Sequence, residues 1–149
     1  MVKSFPPVLF SRPSSPPTRM PAVARKNAKT VLVVEDDADL RRMLVKMLGA
    51  TYTVYEATDG ADALDMLGTI APPDLIVTDV MMPNVDGFML IRRIRAHKAL
   101  SRIPIVFLTA KSSAHDVIEG INAGARHYLT KPFKLADLSA KVTKILTAA

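Results

Sequence analysis

The chain has 149 residues, enough for one ordinary domain that buries roughly two-thirds of its unfolded surface. Apolar residues make up 49% and charged residues 23%, and no cysteine is present, so disulfides, thiolate metal sites and a cysteine nucleophile are excluded; no apolar run approaches the roughly eighteen residues of a membrane span. The net charge of +6 invites a nucleic-acid reading, but residues 1–29 carry six basic residues and no acid, which leaves 30–149 neutral and argues against direct nucleic-acid binding by the folded part.

Those first residues, "MVKSFPPVLFSRPSSPPTRMPAVARKNAK", hold six of the eleven prolines. Proline fixes φ and removes backbone donors, so extended or disordered conformations are expected, and residues 1–29 are assigned to a Pro-rich, basic, flexible leader. "VLF" is too short for the apolar region of a signal peptide. An interaction or targeting tail is the alternative, and Met20 is an alternative start.

From Thr30 onward, short apolar runs alternate with patterns of helical period. "VLVV" (31–34) is β-branched and unbroken, as a strand buried on both faces should be. Leu40, Met43, Leu44, Met47 and Leu48 then mark one face of a helix, with both methionines expected in the core. "YTVYEA" (52–57) is the second strand, and "GADALDMLGTI" the second helix, capped by Asp59. "DLIVTD" (74–79) is the third strand, followed by a helix from Asp86 to about His97. "IPIVFLT" (103–109) is the fourth strand, and Ala114, Val117, Ile118 and Ile121 predict a fourth helix closed by "NAG". "HYLT" (127–130) is a short fifth strand, and Leu135, Leu138, Val142, Ile145 and Leu146 mark the last helix.

Right-handed strand–helix–strand connections at these spacings make a parallel sheet with helices on both faces, an α/β doubly wound domain over 30–149. In such sheets ligands bind beyond the carboxyl ends of the strands. Those ends hold Glu35, Asp36 and Asp37 after strand one, Asp79 after strand three, Thr109 after strand four and Thr130–Lys131 after strand five. Three or four acids, a hydroxyl and an amine thus converge. Carboxylates gathered without cysteine or a histidine cluster suit a hard cation such as Mg²⁺. A lysine beside them neutralises charge and can hold a phosphoryl oxygen, so the set suits phosphoryl transfer to a carboxylate. Asp37 is read as the cap of the first helix. Asp79 is not read as a cap, because Asp86 lies closer to the start of the third. His97, His115 and His127 show no ligand spacing.

"VLVVEDD", "LIVTDVMMPNVDG", "VFLTA" and "YLTKPF" resemble, in order and over about residues 30–147, the receiver domain of bacterial two-component response regulators. The resemblance implies a flavodoxin-like sheet of order 2-1-3-4-5 with five helices, and a location in the cytoplasm. It also implies that Asp79 is the phosphoacceptor. Asp36 and Asp79 would bind Mg²⁺ with the backbone carbonyl of Met81, and Glu35 would do so through water. Thr109 and Lys131 would contact the phosphoryl group, with Tyr128 as switch aromatic and Lys131–Pro132 as a cis peptide. The implied partners are a sensor histidine kinase or histidine phosphotransfer protein, and a downstream protein bound at the face of helix four, strand five and helix five. Met81 and Lys111, two residues after Asp79 and Thr109, would tune the phosphoryl lifetime. With the last helix close to the chain end, a single-domain module is expected, promoting only its own phosphorylation and dephosphorylation. The alternative is a small-molecule phosphohydrolase or phosphotransferase using an aspartyl-phosphate. Enzymes of the haloacid dehalogenase type place a second aspartate two residues after the nucleophile, where this chain has Met81.

Overall fold

The computed structural model describes residues 19–80, 82, 85–110 and 127–148. Its strands are β1 (Thr30–Val34), β2 (Thr53–Ala57), β3 (Leu75–Asp79), β4 (Ile105–Ala110) and β5 (His127–Lys131). They form one parallel sheet in the order β2-β1-β3-β4-β5, the doubly wound order expected. Helices α1 (Ala38–Gly49), α2 (Gly60–Leu67), α3 (Gly87–Ala96) and α4 (Leu135–Thr147) flank it. The helical pattern at 114–121 lies outside the described residues, as do Met81, Lys111 and His115, so four helices are described where the sequence predicts five.

The unbroken apolar runs of β1, β3 and β4 reflect burial on both faces. Leu32, Val34, Ile76 and Phe107 point to one side, where Met66 of α2 and Phe88, Ile91 and Ile94 of α3 cover them. Val31, Val33, Val77, Val106 and Leu108 point to the other, against Leu44 and Leu48 of α1 and Leu138 and Val142 of α4. This alternation is the period-two geometry of a strand. At the carboxyl edge the pattern gives way to polar residues: Glu35 follows β1, Asp79 ends β3, Thr109 lies near the end of β4 and Lys131 ends β5.

The starts of α1, α2 and α3 follow from short acidic side chains, while α4 begins after Lys134 without a side-chain cap. Asp37 accepts from the amides of Asp39 and Leu40 at 2.9 and 3.1 Å. Asp59 accepts from Asp62 N at 2.8 Å and Asp86 from Met89 N at 2.9 Å. Each satisfies amides that the first helical turn leaves without partners.

Two features depart from the sequence reading. Met43 is 51% exposed, not core, and Met47 is only half-buried. The line of contact between α1 and the sheet runs through Leu44 and Leu48, which puts Met43 on the flank of the stripe. There it joins Leu40, Pro132, Phe133 and Leu135 in lining a surface groove. The second departure is at the leader, whose stretch from residue 19 to 29 packs on the domain. Val23 forms an antiparallel bridge to Val54 on the outer edge of β2. An edge strand carries outward backbone groups that need partners, and this stretch supplies them.

Candidate functional site

The carboxyl edge of the sheet is built by β1, β3, β4 and β5. Glu35 follows β1 and is 1% exposed; its amide donates to Ala57 O at 3.1 Å, which fixes the start of the loop. Its side chain turns inward, where Oε2 accepts from Asp37 N at 3.1 Å. The residue that caps α1 therefore also holds Glu35.

Asp79 ends β3 and is 6% exposed. Its placement depends on a close approach by α3. A Cβ on Gly87 would collide with the Asp79 carbonyl oxygen and the Phe107 ring, so only glycine lets the helix begin there. Gly87 N donates to Val80 O at 2.9 Å, and Val80 N to Leu108 O at 3.0 Å, tying the residue after Asp79 to both α3 and β4.

Lys131 crosses the site from the end of β5. Its Nζ donates to Asp79 Oδ2 at 3.0 Å and to Glu35 Oε1 at 3.2 Å. Lys131–Pro132 is cis, as the resemblance implies. Burial by itself would lower the lysine pKa, but the hydrogen bond and charge of Asp79, and then of Glu35, outweigh it and hold it above the ordinary lysine range. Burial also pushes the Glu35 carboxyl up to about 7; the Asp79 charge adds to the rise, while the Asp37 amide and Lys131 oppose it.

One carboxylate oxygen from each of Glu35, Asp36 and Asp79 lies within 4.8 Å of the others, with Asp36 exposed and its two neighbours buried. All-oxygen donors of high charge, open to solvent on one side, fit a hard divalent cation that keeps part of its water shell. Thr109, 4% exposed, is the penultimate residue of β4, in register with Thr130 and one residue past Leu108, the partner of Asp79. Tyr128 is half-buried and pairs with Phe107; their ring centroids are 6.1 Å apart, and Phe107 in turn meets Phe88 edge-on at 5.1 Å. Burial raises the Tyr128 pKa. The structure thus brings Glu35, Asp36, Asp79 and Lys131 together, and sets Thr109 and Tyr128 on the neighbouring strands. Met81 and Lys111 lie outside the described residues.

Arg41 is a contributor that the sequence reading does not single out. It donates through Nη1 to Glu35 O at 2.8 Å and through Nε to Glu56 Oε1 at 3.0 Å, bracing the acidic loop against β2. A signal was available, because a helical side chain leans toward the N-terminus and Arg41 stands four residues after the capping Asp37.

The response regulator receiver domain profile matches residues 31–143. The chain belongs to the response regulator receiver family. Among relatives, the receiver is 41% identical over 117 residues to the response regulator MprA of Mycobacterium avium, covering 78% of this chain and 50% of that protein. It is 38% identical over 117 residues to the sensor histidine kinase TmoS of Ectopseudomonas mendocina, covering 78% of this chain but 12% of the kinase. The chain thus spans half or less of the length of these curated relatives. Among solved structures, the chemotaxis response regulator CheY4 of Vibrio cholerae superposes with a TM-score of 0.74 at 32% identity, covering 79% of this chain and 98% of that one. A two-component signalling module is the shared character of these proteins. Among the described residues, no helix is long and apolar enough to cross a membrane.

Proposed function

We propose that this receiver accepts a phosphoryl group on Asp79 from a phosphohistidine of a sensor kinase or histidine phosphotransfer protein. The observation that carries the proposal is the buried Asp79 carboxylate, held by Lys131 at 3.0 Å and set beside Glu35 and Asp36 at the strand ends. In the transfer, an Asp79 oxygen attacks phosphorus, the phosphorus–nitrogen bond breaks, and its electron pair leaves with the imidazole, which becomes neutral or takes a proton. Asp36, Asp79 and the Met81 carbonyl would hold Mg²⁺, with Glu35 acting through water; the ion supplies positive charge against the phosphoryl oxygens. Lys131 adds a fixed cation, and Thr109 a hydroxyl, to the same group.

The groove lined by Asp37, Leu40, Met43, Lys131, Pro132, Phe133 and Leu135 opens beside this cleft. It suits the phosphodonor protein, since it shares Lys131 with the site and offers apolar surface around it.

Output would run through the face of β5, α4 and the helix expected at 114–121. On phosphorylation Thr109 would move toward the phosphoryl group and Tyr128 would turn inward, biasing two pre-existing states by a few kcal/mol. The packing of Tyr128 against Phe107 supports such a coupling. A Tyr128→Ala variant that binds its target with unchanged dependence on phosphorylation would refute it.

The central test is incubation with Mg²⁺ and a small phosphodonor, followed by mass mapping of the modified residue. Asp79 should be the one residue modified, and only with a divalent cation present. Stoichiometric phosphate on an Asp79→Asn variant overturns the assignment.

A further inference from the structure

The stretch before β1 does more than precede the domain. Val54, in the edge strand β2, donates its amide to Val23 O at 2.8 Å. The Val54 carbonyl accepts from Ala22 N at 2.7 Å and Val23 N at 3.1 Å. Two residues after Val23, Arg25 N donates to Thr53 Oγ1 at 2.8 Å and Arg25 O accepts from the same hydroxyl at 2.9 Å. The Arg25 guanidinium donates to Gly49 O at the end of α1, and Arg19 pairs with Asp62 of α2 at 3.1 Å. Asn27, at φ 61°, then turns the chain toward β1.

The seat beneath this arm is shaped for it. Val23 packs into the cluster formed by α1, α4 and the sheet. A Cβ added to Gly49 would stand 2.7 Å from Val23 Cγ2 and 3.1 Å from both Val23 Cβ and Cγ1. Gly49 is the last residue of α1, and its lack of a side chain leaves the room that Val23 occupies.

The arm also makes a poor template for further pairing. Two successive amides converge on one carbonyl, as in a bulge, and Pro21 beside them has no amide to offer. Arg19 and Arg25 add charge along it. Bulge, proline and charge are the devices that blunt an exposed sheet edge.

We propose that residues 19–25 are an edge guard: they occupy the strand-docking surface of β2 and so prevent a second copy of this chain from pairing there. With the arm lifted, two β2 strands can meet antiparallel about a two-fold axis, each offering the outward Val54 groups to the other, and the two sheets become continuous. The occupant is a second copy because that geometry is self-complementary and closes on itself.

The test uses the full chain. Gly49→Ala puts a methyl into the Val23 seat, while Val23→Asp acts from the arm and leaves the α1 sequence as it is. Trypsin cleavage after Arg25 and Lys26 reports release, and sedimentation velocity over a concentration series reports association, with circular dichroism following the fold. Both variants should be cleaved about tenfold or more faster than wild type, as opening becomes populated, and both should form dimers at concentrations where wild type is monomeric. Gly49→Ala combined with Val23→Ala should recover part of the protection, since the clashing methyl groups are gone. Val23→Asp keeps the test decisive if Gly49→Ala unfolds the domain. Unchanged cleavage in both folded variants, or faster cleavage with sedimentation as monomers, overturns the proposal.

Discussion

Lys131 Nζ lies 3.0 Å from Asp79 Oδ2, and the cation that neutralises the acceptor is also the one that holds Glu35. The lysine comes from the far end of β5, while the acids come from β1 and β3. It therefore closes the site across four adjacent strands, β1, β3, β4 and β5, and its substitution removes a contact to each acid at once. This shared cation links the pH response of the domain to its chemistry.

In the metal-free domain, Glu35 has a folded pKa of about 7 against 4.5 for the free side chain. The native state thus holds a proton that the unfolded chain has released, and stability falls as pH rises between those values. The loss should be on the order of 2–3 kcal/mol by pH 8, read from urea unfolding at pH 5 and 8. Glu35→Gln should flatten that dependence. An equally steep decline in the variant would place the titrating group elsewhere.

Arg41→Ala should destabilise the domain by about 1–3 kcal/mol, because the Glu35 carbonyl and the Glu56 carboxylate lose a charged donor. The loop bearing Glu35 and Asp36 would also be less fixed, so the rise in Tm on adding Mg²⁺ should shrink. Arg41→Lys should not restore both contacts, since an ammonium lacks the planar fork. Thermal scans with and without Mg²⁺ check both statements.

At Gly87, alanine would force either α3 or Phe107 to move away from Asp79. Overpacking of this kind costs about 1–3 kcal/mol, and the displaced carboxylate should be phosphorylated more slowly by a small donor. A Gly87→Ala protein with wild-type stability and rate would show that the approach of α3 does not set the position of Asp79.

The phosphoryl lifetime should be comparatively long. Methionine at 81 is bulky and apolar with at best a weak acceptor, and lysine at 111 offers only donors while charged, so neither orients an attacking water. Decay should quicken about tenfold in Met81→Asn and further in Met81→Asn/Lys111→Glu, because positioning one water is worth roughly 1–2 kcal/mol. Equal decay in wild type and both variants would remove these residues from control of the lifetime.

The sequence by itself determined the parallel sheet and the acids at its edge, while the strand order followed from the family resemblance. Strands buried on both faces show as unbroken apolar runs, and parallel connections bring their carboxyl ends to one side, so Glu35, Asp36, Asp79 and Lys131 were identifiable from position alone. Caps were legible for the same local reason: Asp37, Asp59 and Asp86 act within three residues of themselves. Only the tertiary structure decided where the α1 stripe meets the sheet, which exposes Met43 and buries Leu44. Likewise only the fold decided that Arg41 reaches the Glu35 carbonyl and Glu56, that Gly87 must lack a side chain beside Phe107, and that Val23 seats over Gly49. Periodicity and capping record what a residue does for its own element. Contacts such as Val23 with Gly49 join residues distant in the chain, and their geometry exists only once the helices and strands have packed.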